Sequence, residues 1–139
     1  MPMQLEIITA ERVVLTDEVD QVNAPTRAGR VGILPHHAPL LTVLEFGELD
    51  IYKNGEVTPF AVTGGFMEVL NNRVTILADT AERSDEIDLA RAEAARKRAE
   101  ERMQAAASQQ DMIRAEAELR RAMIRLRVAE TGRVRRIRD

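Results

Sequence analysis

The chain has no cysteine and no tryptophan, and only 3% of its 139 residues are aromatic. The absence of cysteine excludes a disulfide scaffold and any metal site built from thiolates. No stretch of the sequence approaches the roughly twenty apolar residues that a membrane-spanning helix needs. We therefore expect neither a disulfide-stabilised module nor an integral membrane segment.

Proline, glycine and aromatic residues are unevenly distributed, and this divides the chain into two parts. All five prolines, all four aromatic residues and six of the seven glycines precede Met67, whereas Ala, Arg and Glu dominate after Arg83. Turn formers, β-branched residues and aromatics favour sheets, while Ala, Glu and Arg favour helices. The sequence therefore predicts an α+β protein, with an N-terminal all-β sandwich over residues 1–83 and a C-terminal antiparallel helical hairpin over residues 84–139.

Short runs of strand character, separated by turn residues, fill the first part. They cover residues 3–10, 19–24, 40–44, 48–52, 57–62, 66–70 and 74–78. Asn54-Gly55 and Asn71-Asn72 predict two tight hairpins, because these residue types tolerate the positive φ that a type I′ turn requires. Gly64-Gly65 predicts a bulge or a close backbone approach between two strands.

Residues 29–41 form the densest cluster of glycine and proline and hold both histidines. A metal site is disfavoured there, because adjacent histidines point in different directions and no Cys, Asp or Glu lies nearby in sequence to complete it. We expect a proline-stiffened loop that docks a partner, with one histidine satisfied by backbone groups. The candidate docking residues are Arg30, Gly32, Leu34, Pro35 and His37.

The sequence contains no recognisable catalytic motif. Its two serines, Ser84 and Ser108, stand where helix caps and turns are expected, and neither histidine has a triad partner at a recognisable spacing. We therefore expect no catalytic residues and no catalytic cofactor, so the chain by itself is not predicted to be an enzyme.

Two capping signals divide the second part into two helices. Ser84-Asp85 predicts the start of a helix that runs to about residue 106, and Ser108 predicts the cap before a return helix over residues 112–130. The facing stripes are mostly alanine, which contributes about 0.8 kcal/mol per buried methyl-sized group against about 1.5–3 kcal/mol for a leucine. Such a hairpin is marginally stable. Marginal stability suits a switch, although the stripe alone does not establish one.

Four arginines are spaced along two faces of these helices. Arg91 and Arg98 are seven residues apart, Arg121 and Arg125 are four apart, and an antiparallel hairpin places Arg98 roughly opposite Arg121. Two interpretations stay open. Converging guanidinium groups can hold a phosphate chain, with about 1.5–3 kcal/mol from each charge-assisted contact. The same residues can also form a solvated face of ion pairs worth about 0–1 kcal/mol each.

Four segments, followed by the two Ala-rich helices, carry a resemblance to a known family. They are Gly32-Ile33-Leu34-Pro35-His36-His37-Ala38-Pro39-Leu40-Leu41, Gly64-Gly65-Phe66-Met67-Glu68-Val69, Val74-Thr75-Ile76-Leu77 and Ala81-Glu82-Arg83. In this order, and over almost the whole chain, they resemble the epsilon subunit of bacterial F-type ATP synthase.

The resemblance implies a place in the rotary machine. It implies a β-sandwich that seats on the gamma subunit and touches the c-ring. It also implies a hairpin that folds against the sandwich or extends along gamma toward the catalytic alpha and beta subunits, where it inhibits ATP hydrolysis. The expected location is the cytoplasmic side of the cell membrane, peripherally, with membrane contact only through the complex.

The segment Ile87-Asp88-Leu89-Ala90-Arg91-Ala92 matches the Ile/Leu-Asp-x-x-Arg-Ala motif of ATP-binding members of this family. The resemblance implies that regulatory ATP is held by Glu82, Ile87, Asp88, Arg91, Ala92, Arg98, Arg121 and Arg125. Asp88 and Glu82 would contact the adenosine part or orient the arginines, which would neutralise the phosphates. Bound ATP would favour the folded, non-inhibitory hairpin.

Two features depart from the family pattern. Arg30 stands in a turn that often carries an acidic or amide residue in relatives, which puts its polar contact with the c-ring in doubt. Residues 132–139 continue past the end of many members and contain four arginines. This basic tail is either a frayed end or, as an alternative hypothesis, a grip on an acidic loop of the catalytic subunits.

Two other function classes stay open from the residues alone. A nucleic-acid-binding scaffold would use the arginine-rich hairpin, but residues 84–139 carry a net charge of only +3, interleaved glutamates and no aromatic residue for base stacking. We therefore expect no nucleic-acid partner. A free-standing ATP-sensing module would bind ATP without associating with a gamma subunit.

Overall fold

The computed structural model describes residues 2–131 and 135–136, and at residues 131, 135 and 136 it describes the backbone alone. The strands are β1 Met3–Ile8, β2 Val13–Val19, β3 Gln21–Thr26, β4 Gly29–Ile33, β5 Leu40–Lys53, β6 Glu56–Leu70, β7 Arg73–Ala78, β8 Ala81–Arg83 and β9 Arg135–Arg136. The helices are α1 Leu89–Ala105 and α2 Gln109–Thr131. No helix within the described residues is long and apolar enough to cross a membrane.

The strands form one sheet in the order β2-β1-β7-β6-β5-β3-β4, with β8 and β9 also paired to β6. The β1–β7 pair is parallel, and the other pairs are antiparallel. Leu5 of β1 and Val22 of β3 belong to the same buried core, although their strands lie far apart in this order. The sheet therefore folds over on itself, and the predicted sandwich followed by two helices is confirmed.

Two pairs of predicted strands are each a single long strand. Residues 40–44 and 48–52 both belong to β5, and residues 57–62 and 66–70 both belong to β6. Glycines within these two long strands mark close approaches. A Cβ on Gly47 would lie 2.9 Å from Pro25 Cβ, and a Cβ on Gly65, where φ is +113°, would lie 1.9 Å from the Leu77 carbonyl oxygen. The predicted close approach at Gly64-Gly65 is thereby confirmed.

Two edge strands were missed by sequence reasoning. Val13–Val19 forms β2, and Gly29–Ile33, which was predicted as part of a loop, forms β4. Both lie at the ends of the strand order, and most of their residues are exposed or half-buried. Because an edge strand buries few side chains, its alternation of apolar and polar residues is weak.

The two predicted hairpin turns are present. Asn54 and Gly55 have φ values of 51° and 77°, and Asn71 and Asn72 have values of 51° and 58°. These left-handed conformations join β5 to β6 and β6 to β7, which fixes the register of the three strands.

The first helix begins later than predicted. Residues Ser84–Glu86 form a 3₁₀ turn, and the N-cap is Asp88, whose Oδ1 accepts a hydrogen bond from the Arg91 backbone N–H at 3.1 Å. The prediction of a cap at Ser84-Asp85 is wrong, because Ile87 is buried beside the sandwich and the chain turns into the helix only after it. The second cap is confirmed, since Ser108 Oγ accepts from the Asp111 N–H at 3.1 Å.

Candidate functional site

The helical hairpin packs on the sandwich through a small apolar cluster, which we call the docking core. It comprises Ala61 of β6, Ile87, Ala92 of α1 and Val128 of α2. The half-buried residues Ile124, Leu126 and Ala129 pack against it. Between the arms, the buried residues of the predicted stripe are alanines: Ala92, Ala99, Ala115 and Ala122. The arms can therefore approach closely, while few large side chains hold the hairpin in place.

An open cleft of about 350 Å³ lies between the two arms and the sheet. Its lining residues are Thr63, Thr80, Glu82, Ala95, Arg98, Arg102, Glu118, Arg121, Ala122 and Arg125. Four residues of the predicted ATP site, Glu82, Arg98, Arg121 and Arg125, are among them. The cleft thus gathers side chains from the sheet and from both helices.

The charges in this cleft do not cancel. Arg125 forms a two-point ion pair with Glu82, with Nε 2.6 Å from Oε1 and Nη2 3.0 Å from Oε2. Arg102 pairs with Glu118 across the hairpin. Within the described residues, neither Arg98 nor Arg121 forms an ion pair. Two guanidinium charges therefore remain uncompensated, which suits a polyanionic ligand.

Two guanidinium groups of α2 lie over the ring of Phe46 on β5. The Arg120 Cζ lies 5.0 Å from the ring centroid, and the Arg121 Cζ lies 6.0 Å from it. Each contact falls within the range of a cation–π interaction. Phe46 therefore fastens α2 to the sheet and holds the Arg121 side chain at the cleft.

The other four predicted ATP-site residues lie outside the cleft. Ile87 and Ala92 are buried in the docking core, at 8% and 0% exposure. Asp88 caps α1, and Arg91 is exposed and donates its backbone N–H to that cap. The structure therefore brings together half of the predicted set, and a nucleotide contact stays a prediction for all eight residues.

Sequence reasoning missed four polar residues of the cleft. Arg102 lies one helical turn beyond Arg98, so the spacing that singled out Arg98 could also have identified it. Glu118 had no comparable signal, because its role depends on the pairing across the hairpin. Thr63 and Thr80 come together only through the pairing of β6 with the segment after β7.

The predicted docking loop is partly strand and partly loop. Leu34 is 56% exposed, while Pro35 and His37 are half-buried. The His37 Nδ1 lies 2.7 Å from the Ala38 carbonyl oxygen, which confirms that one histidine is satisfied by the backbone. The His36 N–H donates to Asn72 Oδ1 at 2.9 Å, so the loop is fixed beside the turn between β6 and β7.

Arg30 and Gly32 lie on β4 rather than in this loop. The Arg30 Nη1 donates to the Glu48 carbonyl oxygen at 2.7 Å, and its Nη2 lies 3.4 Å from Asp50 Oδ2. The guanidinium group is therefore directed across the sheet at β5. A contact between Arg30 and a partner would have to use the remaining exposed part of this side chain, which is 50% exposed.

An apolar patch is exposed on the face of the sheet formed by β5, β6 and β7. Leu41 is 70% exposed, Phe66 is 53% exposed and Leu77 is 51% exposed. Phe66 pairs with both Val43 and Leu77, so their side chains lie side by side on this face. Contiguous exposed apolar residues of this kind mark surfaces that bind other proteins.

The proposed grip by the basic tail lies outside the described residues, except for the backbone of Arg135–Arg136. That backbone pairs as β9 with Glu56 and Val57 at the start of β6.

Two family models match the chain. The ATP synthase delta/epsilon chain β-sandwich domain matches residues 2–84, and the ATP synthase delta/epsilon chain long α-helix domain matches residues 85–130. The chain is 66% identical over 136 residues to the ATP synthase epsilon chain of Chloroflexus aggregans, covering 98% of each chain. It is 64% identical over 135 residues to that of Herpetosiphon aurantiacus, covering 97% of this chain and 99% of the relative.

Solved structures share the fold. A chain in the mitochondrial ATP synthase of Euglena gracilis, solved as an OSCP/F1/c-ring assembly, superposes with a TM-score of 0.80 at 23% identity, covering 93% of this chain and 81% of that one. A chain in the central stalk and c-ring of the Tetrahymena thermophila mitochondrial enzyme gives a TM-score of 0.62 at 18% identity, covering 93% and 97%. The family models and the close relatives together show that the chain belongs to the ATP synthase delta/epsilon family, as an epsilon chain of the ATP synthase.

Proposed function

We propose that this chain is a non-catalytic subunit of the central stalk, which couples proton flow to ATP synthesis and restrains ATP hydrolysis through its hairpin. The sandwich would seat on the gamma subunit and the c-ring, at the cytoplasmic side of the cell membrane. Support comes from the exposed patch of Leu41, Phe66 and Leu77, which offers an apolar surface of the kind that protein interfaces bury. The hairpin would reach the catalytic alpha and beta subunits when it leaves the sandwich.

The patch can be tested by binding to a purified gamma subunit. We expect Phe66→Asp to abolish retention on immobilised gamma, because a charge placed in an apolar interface is costly to desolvate. Leu89→Asp is the matched control, since Leu89 is also about half exposed but lies on the hairpin. Equal retention of both variants would contradict this docking surface. Failure of the unmodified chain to bind gamma would favour a free-standing module.

The second part of the proposal is that the cleft binds regulatory ATP. The observation that carries it is the pair of uncompensated guanidinium groups, Arg98 and Arg121, placed on opposite arms beside the Glu82–Arg125 ion pair. A phosphate chain that contacts both arms and the sheet would hold the hairpin against the sandwich. A ligand at 100 times its dissociation constant adds about 2.7 kcal/mol to the form that it binds. Because the docking core is small, such a contribution would shift the hairpin toward the docked, non-inhibitory form.

Calorimetric titration of the full chain with ATP, and with GTP for comparison, tests this site. We expect Arg121→Ala to weaken ATP binding at least tenfold, because one charge-assisted contact is lost. Arg114→Ala is the control: it removes an exposed arginine from the same helix, outside this cleft. Unchanged affinity in Arg121→Ala would place any ATP site elsewhere.

The role of Asp88 needs a separate variant, because its side chain caps α1. Asp88→Ala would remove that cap, worth about 1 kcal/mol, and so would confuse helix stability with binding. Asp88→Asn keeps a good N-cap residue and removes the charge. We expect Asp88→Asn to weaken ATP binding at least tenfold if the carboxylate contacts ATP or orients the arginines, and equal affinity would restrict Asp88 to its capping role.

A further inference from the structure

The sheet places a pair of threonine hydroxyls in the cleft. The Thr63 N–H donates to the Thr80 carbonyl oxygen at 3.2 Å, and the two hydroxyl groups are hydrogen-bonded to each other. Ala61 pairs with Glu82 two rows further along the ladder, beyond the pair of Val62 and Ala81. Because alternate residues of a strand point to the same side, Thr63 and Thr80 share the side of Ala61 and Glu82, which the hairpin covers.

This hydroxyl pair has an unused donor. Each threonine hydroxyl can donate one hydrogen bond and accept two, and the bond within the pair uses only one of the two hydrogens. Within the described residues, neither hydroxyl donates to a further group. Thr63 is only 5% exposed, yet both residues line the cleft, so the second hydrogen is available to whatever occupies that space.

The strand pairing of Thr63 also brings it close to the arginines of the cleft. Thr63 pairs with Phe46 on the neighbouring strand, and the Arg121 guanidinium group lies over the Phe46 ring. Glu82, which forms the ion pair with Arg125 of α2, lies two rows further along on the same side of the sheet. An anion held by Arg121 beside the sheet therefore has a neutral hydroxyl donor on the sheet side and guanidinium donors on the helix side.

We propose that the Thr63–Thr80 pair is a ligand-binding element of the nucleotide cleft and donates a hydrogen bond to a phosphate oxygen of ATP. This inference rests on the proposed ATP site and adds the sheet as a third contact surface beside α1 and α2. Bound ATP then fastens the hairpin to the sandwich, rather than only one arm to the other. Whether the hairpin is docked on the sandwich therefore depends on whether the nucleotide is bound.

Isosteric replacement tests the hydroxyl pair. Thr80→Val removes one hydroxyl at an exposed position and so spares the core. Because either hydroxyl can be the donor within the pair, Thr80→Val is combined with Thr63→Val. For this double variant we expect calorimetry on the full chain to show about tenfold weaker ATP binding, the effect of losing a hydrogen bond to a charged group. Thr80→Ser, which keeps the hydroxyl, should bind ATP like the unmodified chain. Thr75→Val on β7 is the control, because Thr75 is half-buried and lies outside the cleft.

A second measurement separates the possible failures. Amide hydrogen exchange of α2 with saturating ATP should show less protection in the variant that combines Thr63→Val and Thr80→Val than in the unmodified chain at equal ATP concentration. Tight ATP binding by the unmodified chain with equal affinity in the variant that combines Thr63→Val and Thr80→Val would overturn this inference and leave the ATP site intact. No ATP binding by the unmodified chain would overturn both.

Discussion

The docking core allows a quantitative test of how firmly the hairpin is held. Val128 is fully buried on α2 and packs with Ala61, Ile87 and Ala92. Val128→Ala removes two methyl groups, each worth about 0.8 kcal/mol of transfer free energy. A small cavity term raises the total to about 2 kcal/mol. At about 1.4 kcal/mol per tenfold change, the ratio of docked to undocked hairpin should fall about 30-fold.

Amide hydrogen exchange on the full chain measures this ratio directly. We expect exchange in α1 and α2 to accelerate by up to about 30-fold in Val128→Ala, while the strands of the sandwich keep their protection. Ile113→Ala is the control, because Ile113 lies on the same helix, is 57% exposed and loses more atoms on replacement. Unchanged exchange in Val128→Ala, or equal acceleration in Ile113→Ala, would refute the assignment of the docking core.

Four further perturbations address other parts of the molecule. Phe46→Leu removes the ring that faces two guanidinium groups, so hairpin docking measured by hydrogen exchange should weaken by about 1 kcal/mol. No change would show that these contacts do not stabilise docking. Gly65→Ala should lower the free energy of unfolding by at least about 1–3 kcal/mol in denaturant titrations, since its Cβ would meet a backbone oxygen at 1.9 Å and φ is +113°. The hydrogen bonds from Lys53 lower the pKa of Asp17 from its ordinary value of 3.8. The Asp17–Lys53 pair therefore stabilises the folded chain fully at pH values above that ordinary pKa, and this contribution is lost as the pH falls through the lowered pKa of the folded state. The difference in unfolding free energy between the unmodified chain and Asp17→Asn should therefore narrow below about pH 4, and a constant difference would contradict the pairing. Residues 132–139 contain β9, whose pairing with β6 would help to hold the hairpin on the sandwich. Their deletion should therefore release the hairpin and deepen inhibition of ATP hydrolysis in the assembled enzyme, whereas relief of inhibition would support a grip on the catalytic subunits.

The sequence predicted those features that depend on neighbours along the chain. The Asn54-Gly55 turn and the Ser108 cap are local, because residue type alone decides whether positive φ or a capping oxygen is available. The start of α1 was misplaced, because burial of Ile87 against the sandwich, a tertiary effect, moves the cap to Asp88. Residues 40–44 and 48–52 were predicted as separate runs, because sequence alone could not show that Gly47 between them lies inside one strand, close to Pro25.

The candidate site shows the same division. Helical periodicity was enough to place Arg98 and Arg121 together, and the structure puts both at the cleft. Spacing could not reveal which arginines are already neutralised, because Glu82 reaches Arg125 from a strand more than forty residues away in sequence. The hydroxyl pair was equally hidden, since it depends on the register between β6 and the segment after β7.

The electrostatics of the docked hairpin give a physical reason why it would respond to an anion. The Glu82–Arg125 pair is partly exposed, at 34% and 25% of its side chains, so it contributes no more than about 1 kcal/mol to docking. Within the described residues, Arg98 and Arg121 form no ion pair, so the packing of the two arms brings like charges together in the cleft without compensation. A bound polyphosphate would both add contacts and remove this repulsion. The alanine-rich arms supply too little burial to mask either effect, so the position of the hairpin is expected to follow the occupancy of the cleft.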